Sequence, residues 1–138
     1  MKANIKIVVG SVGLALACTG VAAPVALTTE YQENPVGIDA EQPRLAWKLG
    51  ADVVRQRAYQ LETDGVAQPE IASVDQIGVA WPGARLTTGS RHAWRVRVRD
   101  EKGSLSDWSE PASFVVGKKD AWRAEWIGNG FDRQPAFE

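Results

Sequence analysis

The segment from Trp94 to Glu110 reads WRVRVRDEKGSLSDWSE, and its first half alternates strictly between two classes of side chain. Trp94, Val96 and Val98 are apolar, whereas the positions between and after them are arginines. A period of two residues is that of a β-strand, whose successive side chains point to opposite faces. The segment therefore predicts a strand that packs one face on an apolar core and presents a row of guanidinium groups on the other.

Further alternating runs, separated by Gly, Pro, Asp and Asn, predict strands on both sides of this one. These runs are VALTTEY (25–31), PRLAWKL (43–49), AYQLETDG (58–65), IGVAWPG (77–83), HAWRVRVRD (92–100) and ASFVVG (112–117). NPVGID (34–39) is predicted to be a turn. VAQPEIASVDQ (66–76) is predicted to be a loop with at most a short edge strand, because Pro69 cannot donate a ladder hydrogen bond. About seven short strands without a sustained helical period predict an all-β, fibronectin type III or immunoglobulin-like sandwich over residues 24–117.

The inward faces of these strands supply enough apolar area for a small autonomous core. The predicted core residues are Leu45, Trp47, Leu49, Tyr59, Leu61, Trp94, Val96, Val98 and Phe114. Cys18 is the only cysteine, so no disulfide within the chain can join the two sheets.

Residues 1–23 have the features of a signal peptide. Two lysines in MKANIK precede the uncharged run IVVGSVGLALA (7–17), which is too short to span a bilayer as a helix. Cleavage after Ala22 fits the small-residue rule, and the alternative is a buried N-terminal strand or helix. Cys18 either carries a lipid, as the resemblance of ALAC to a lipoprotein signal suggests, or leaves with the signal peptide. The chain is therefore predicted to be periplasmic or extracellular, with lipid on Cys18 as its only membrane anchor.

The formal net charge of −1 gives no basic excess, which argues against a nucleic-acid partner. The arginine row then either binds an anion or a sugar acid, or stacks on an aromatic ring. SDWS (106–109) resembles the tryptophan-serine box of cytokine-receptor fibronectin domains, in which tryptophans and arginines interleave. We therefore expect Trp108 to lie against Arg95 or Arg97 in a structural stack.

His92 is the only histidine and stands two residues before Trp94 and six after Leu86. This spacing resembles the tyrosine corner, and we expect the imidazole to bond nearby backbone. The alternative roles are general base or metal ligand, but no cysteine and no recognisable carboxylate partner accompany it. The acidic residues are expected in turns or on outer faces, where solvation explains them. The sequence thus predicts no catalytic residue, no metal and no cofactor.

Four phrases in order resemble the N-terminal region of bacterial α-L-rhamnosidases of glycoside hydrolase family 78. They are NPVGIDAEQPRLAWKL (34–49), RQRAYQLET (55–63), HAWRVRVRDEKGSLSDWSEPASFVVG (92–117) and DAWRAEWIG (120–128). In that family a fibronectin-like module stands at the N-terminus, and a phrase similar to DAWRAEWIG begins the next β domain. Residues 64–76 depart from the family pattern, because this stretch is shorter and lacks a tryptophan.

The resemblance implies a non-catalytic accessory module of an exported enzyme that hydrolyses terminal α-L-rhamnose. Residues 118–138 are then the junction and start of a second β domain, the catalytic barrel lies beyond Glu138, and the chain is a fragment or a truncated form. Its partners are downstream domains of the parent. The alternative is a free-standing carbohydrate-binding or protein-interaction module. Trp108, Trp122 and Trp126 are candidates for stacking on rhamnose-containing glycans or for interdomain contact, and Trp81 is a further stacking candidate.

Overall fold

The computed structural model of the protein describes residues 20–118, which form two β-sheets. The strands in chain order are β1 (Val25–Thr29), β2 (Val36–Ile38), β3 (Arg44–Lys48), β4 (Gln56–Thr63), β5 (Val66–Ala67), β6 (Val79–Ala80), β7 (Arg91–Asp100) and β8 (Ala112–Val116). One sheet has the order β1-β3-β6 and the other β2-β8-β7-β4-β5. Neighbours pair antiparallel except β2 and β8, which are parallel. The predicted all-β sandwich is confirmed.

The core lies between the two sheets. Leu45 and Trp47 of β3 face it from the smaller sheet, and alternate residues of β4, β7 and β8 face it from the larger one. All nine residues predicted for the core contribute to it, although Leu49 is only partly buried. Trp94, Val96 and Val98 are at most 1% exposed, which confirms the alternation of β7.

The segment predicted as a turn at residues 34–39 is partly a strand. Asn34 and Gly37 do adopt left-handed backbone angles, with φ of 45° and 88°. However, β2, which includes Gly37, lies along the free edge of β8, and the Pro35 carbonyl accepts a bond from Val115 N at 3.0 Å. The strand count among residues 20–118 is therefore eight rather than about seven, because pairing with a distant strand outweighs local turn signals.

A buried glutamine holds the long loop after β5. Gln56 is fully buried, and its Nε2 donates to the carbonyls of Ser73 at 3.0 Å and Asp75 at 2.9 Å. Its Oε1 accepts a bond from Trp47 Nε1 at 3.0 Å. The loop predicted for residues 66–76 thus has β5 as a short edge strand, as expected, and a fixed attachment to the core.

Candidate functional site

The outer face of the larger sheet carries the arginine row, Arg95, Arg97 and Arg99, which was the first candidate for a binding site. Arg95 is held by Glu62 through two bonds of 2.8 Å. Arg99 is held by Glu70 through bonds of 3.0 and 2.8 Å. The bond from Arg99 holds the pKa of Glu70 below its usual range, against a smaller opposing effect of desolvation. Two of the three guanidinium charges are therefore already compensated by carboxylates.

The tryptophan-serine segment is clamped to β7 by its two serines. The Oγ atoms of Ser106 and Ser109 accept bonds from Val98 N and Val96 N, both at 3.0 Å. The backbone N–H groups of the same serines donate to the carbonyls of Val98 at 2.8 Å and Val96 at 2.9 Å. Because both serines are tied to alternate residues of one strand, Trp108 between them is fixed against the arginine face of β7.

Trp108 contacts two arginines rather than one. Its ring centroid lies 4.9 Å from Cζ of Arg95 and 4.6 Å from Cζ of Arg97. Arg97 is further held by Gln60, whose Oε1 accepts from Nε at 2.9 Å. Arg97 is thus the one guanidinium of the row without a carboxylate partner among residues 20–118. A single guanidinium would bind an anion only weakly. The geometry favours the structural stack over an anion site.

His92 makes side-chain contacts that the sequence did not predict. We expected a bond to backbone and no carboxylate partner, but Nδ1 lies 2.8 Å from Oδ2 of Asp64 and Nε2 lies 2.8 Å from Oγ of Ser90. The expectation that no carboxylate accompanies His92 is therefore wrong. Asp64 lies 28 residues away in the turn after β4, and the pairing of β4 with β7 brings it close.

This Ser–His–Asp arrangement has the connectivity of a hydrolase triad but not its chemistry. The Ser90 hydroxyl has one hydrogen and donates it to the Thr87 carbonyl at 2.7 Å, so it faces the imidazole as an acceptor. The ring packs between Trp81 and Phe114, with centroids 5.6 and 5.3 Å away. His92 therefore ties the β4–β5 turn to β7, and no activated nucleophile results.

The remaining tryptophans of the described region are core residues. Trp94 is 1% exposed and donates from Nε1 to Oγ1 of Thr29 at 3.1 Å, while Trp47 is 3% exposed. Trp81, a candidate stacking face from the sequence, is 4% exposed and packs on Phe114, so it is not available to a ligand. Its indole folds back over Gly83, where a Cβ would lie 2.4 Å from the ring.

Two open grooves that meet along β1 were not predicted. The first, of about 410 Å³, is lined by Asn34, Trp108 and Glu110 together with Ala26 and Glu33. The second, of about 340 Å³, shares Ala26 and Glu33. Its other lining residues include Tyr31, Lys48 and Ile77. No local motif marks these residues, since four separate segments of the chain supply them.

The described residues show neither a cluster of metal-ligating side chains nor a long apolar helix. Among residues 20–118, no three His, Cys, Asp or Glu side chains are placed to hold a metal ion. Over the same residues, no helix is long and apolar enough to cross a bilayer. Cys18, Trp122 and Trp126 lie outside the described residues, so their predicted roles stay predictions.

Comparison with known proteins gives one consistent family. Residues 24–120 match the family described as Rha78A-like, N-terminal immunoglobulin domain. An α-L-rhamnosidase of Streptomyces avermitilis is 34% identical over 114 residues, which is 72% of this chain and 11% of that protein. An α-L-rhamnosidase of Alteromonas sp. is 28% identical, over 69% of this chain and 12% of its own. The chain thus spans only about a ninth of the length of these curated relatives.

Solved structures agree with the sequence matches. The crystal structure of the Streptomyces avermitilis α-L-rhamnosidase complexed with L-rhamnose superposes with a TM-score of 0.70 and 32% identity, over 77% of this chain and 12% of that one. The α-L-rhamnosidase from Dictyoglumus thermophilum superposes with a TM-score of 0.69 and 27% identity, over 77% and 14%. In both relatives the matched region is a small part of a much longer chain.

Proposed function

Because the chain belongs to the family of Rha78A-like N-terminal immunoglobulin domains, we propose that it is a non-catalytic accessory module of an exported α-L-rhamnosidase-type glycoside hydrolase. In this proposal, other domains of the parent protein hydrolyse terminal α-L-rhamnose. The module supplies a rigid packing surface and sets the distance at which those domains are held.

The observation that carries the proposal is the small share of each relative that this chain matches. It corresponds to 11–12% of the two curated α-L-rhamnosidases, and the family description places the matched region at the N-terminus. The chemistry of the described residues supports the same view. A glycosidase sets two carboxylates around a sugar-sized cleft, whereas the space between these two sheets is filled by aromatic and aliphatic side chains. Glu62 and Glu70, which lie on the outer face, are committed to arginines.

Export is the second part of the proposal. The lysines and apolar run of residues 1–17 support a secretory signal, and the small residues up to 23 support its removal. Cys18 is proposed either to carry a lipid anchor or to leave with that signal. Radiolabelled palmitate supplied to cells expressing the full chain separates the two: label on the protein, lost in Cys18→Ser, identifies the anchor, and an unlabelled, shortened product identifies removal.

A domain exchange tests the accessory role. Residues 24–118 of this chain replace the matching region of the Streptomyces avermitilis α-L-rhamnosidase. The chimera and a deletion lacking the region are compared for hydrolysis of an aryl α-L-rhamnoside and for thermal stability. We expect the chimera to keep most of the activity and stability of that enzyme, and the deletion to lose stability, because the remaining domains then expose the surface that the module covers.

The matched control is the same chimera carrying Trp94→Ala, which opens a cavity in the core. It is expected to behave like the deletion. Equal stability of the deletion and the unaltered enzyme would contradict the supporting role. Hydrolysis of the aryl rhamnoside by this chain alone would contradict the absence of catalysis.

A further inference from the structure

Two sites with left-handed backbone angles border the grooves, one within β1 and one in the turn directly after it. The pairing of β1 with β3 is irregular between Val25 and Thr28, and Ala26 within this bulge has a φ of 51°. The chain then reverses in a tight turn in which Thr29 and Gln32 exchange backbone bonds of 2.9 and 3.0 Å.

Both central residues of this turn, Glu30 and Tyr31, are left-handed, with φ of 47° and 63°. Such turns favour Asn-Gly, because other side chains are disfavoured at positive φ. Non-glycine residues held in this region are found at ligand clamps more often than elsewhere. The left-handed turn therefore makes the grooves beside it a candidate ligand site.

Tyr31 presents an open aromatic face beside the second groove. Its side chain is 64% exposed, and Cζ of Arg44 lies 5.1 Å from the ring centroid on one side. Arg44 is itself fixed by Glu30 through bonds of 3.2 and 2.9 Å. One face of the phenol ring thus carries a guanidinium that is itself hydrogen-bonded, and most of the Tyr31 surface is open to solvent.

Two charged side chains of the second groove make no hydrogen bond or ion pair with the described part of the protein. The Glu33 carboxylate and the Lys48 ammonium group line it together, and neither side chain has a hydrogen-bond or ion-pair partner among residues 20–118. Because the carboxylate and the ammonium group share a groove but do not pair with each other, a polar group of a ligand can lie between them. Ile77, which is 70% exposed, adds an apolar wall.

We propose that this second groove, the Tyr31 groove, binds one ring of a neutral sugar. The open face of Tyr31 stacks on the apolar C–H face of the ring, and Glu33 and Lys48 bond its hydroxyl groups. A volume of about 340 Å³ suits a single pyranose. The adjoining first groove, which shares Ala26 and Glu33, continues the path toward a second ring.

The charges of the two grooves select against acidic sugars. Glu33 lines both grooves and Glu110 lines the first of them, so a uronate whose carboxylate points toward the first groove would face two carboxylates, with Lys48 as the one ammonium group of the second groove. The apolar wall at Ile77 favours a methyl group in place of a hydroxymethyl at C6. The choice of a 6-deoxyhexose such as rhamnose rests on the proposed function, whereas the preference for a neutral sugar rests on the groove alone.

The test is a titration of the ¹⁵N-labelled full chain with methyl α-L-rhamnopyranoside, followed by amide chemical shifts. A ligand of this size is expected to bind with a Kd of about 2 mM. The shifts are expected at Thr28, Tyr31, Lys48 and Ile77. Tyr31→Ala is expected to raise the Kd at least tenfold, while Tyr31→Phe, which keeps the ring, changes it less than about twofold.

Two further variants sharpen the result. Val66→Ala removes an exposed side chain on β5, in the other sheet, and is expected to leave the Kd unchanged. Glu33→Gln is expected to raise the Kd for the rhamnoside and to abolish the discrimination against methyl glucuronide. All variants are exposed-residue changes, and an unchanged amide spectrum outside the groove establishes that each is folded.

Shifts confined to the arginine row of Arg95, Arg97 and Arg99, or no saturable shift with any neutral glycoside, would overturn the proposal. Concentration-dependent shifts in the absence of sugar would assign the groove to self-association and would also overturn it. Equal affinity for methyl glucoside would overturn the 6-deoxy assignment. A failed titration combined with a stable, active domain-exchange chimera would reject the sugar site and leave the accessory function in place.

Discussion

Replacing Gln56 by leucine tests how much a buried hydrogen-bond network stabilises this sandwich. The leucine has similar bulk, but it cannot accept from Trp47 or donate to the carbonyls of Ser73 and Asp75. We predict that Gln56→Leu lowers the free energy of unfolding by about 3–4 kcal/mol.

The magnitude follows from the three bonds and from what their loss leaves behind. Three hydrogen bonds at a net of about 1 kcal/mol each give about 3 kcal/mol. The buried N–H of Trp47 is left without an acceptor, which costs about 1–3 kcal/mol more. The carbonyls of Ser73 and Asp75 lie in a loop that water can reach, so rehydration recovers part of the total. Against a typical domain stability of about 5–15 kcal/mol, the loss is large.

The assay is urea unfolding followed by circular dichroism and tryptophan fluorescence. Trp47→Phe removes the donor that Gln56 satisfies, so the double variant is expected to lose about 1–2 kcal/mol less than the two single losses added together. Gln60→Leu on the same strand is the matched control. It loses a bond to the Gln68 carbonyl and one from Arg97, but both lie on the outer face, where water can replace the glutamine, so the expected loss is only about 1 kcal/mol. A loss below about 1 kcal/mol for Gln56→Leu, or strict additivity with Trp47→Phe, would refute the reasoning.

Three further predictions concern other parts of the sandwich. Trp108→Ala removes a half-buried indole from the arginine row and is expected to lower the free energy of unfolding by about 1–2 kcal/mol in urea titrations. The bond from Arg44 lowers the pKa of Glu30, so Glu30 stabilises the fold above the ordinary glutamate value of about 4.3. That stability is lost as the pH falls through the lowered pKa. Glu30→Gln is therefore expected to unfold more easily at pH 7 and to match the unaltered chain in acid. Gly83→Ala places a Cβ against the buried ring of Trp81 and is expected to cost about 1–3 kcal/mol, read as a lower Tm.

Each of these changes has its own control. Trp108→Phe keeps an aromatic ring and should recover part of the loss. For Glu30, a difference from the unaltered chain that persists undiminished in acid would contradict an electrostatic origin. Gly20→Ala meets only a carboxylate oxygen at 3.8 Å, so its Tm should not change, and an equal fall for both alanine variants would contradict the close-contact argument.

The elements that were predictable from sequence are those whose cause is local. The alternation in β7 follows from backbone geometry, so Trp94 and its apolar neighbours were assigned to the core from their spacing alone. The position of the SDWS segment also depends on residues close in sequence, because Ser106 and Ser109 follow β7 after a short turn and bond back to it. Trp108 was therefore expected on the arginine row, although its contact with both Arg95 and Arg97 was not.

The features that were missed depend on partners far along the chain. Gln56 resembles any surface glutamine in sequence, and its burial depends on Trp47 and on a loop 17–19 residues later. The Asp64 carboxylate was assigned to a solvated turn, yet strand pairing places it on His92. The role of a polar side chain depends on the partners that the fold brings to it, which is why neither role could be inferred from the sequence pattern.

The grooves along β1 went unpredicted for a different reason, which bears on where function lies in this domain. Sequence rules assign positive φ to glycine and asparagine, but Ala26, Glu30 and Tyr31 take it without either advantage. A regular sandwich does not require non-glycine residues with positive φ at these positions. Departures of this kind are expected mainly at functional or strained sites, so these residues call for an explanation beyond the fold. Ala26 and Tyr31 line the Tyr31 groove together with the charged side chains of Glu33 and Lys48, and the sugar binding proposed for that groove would supply such a cause.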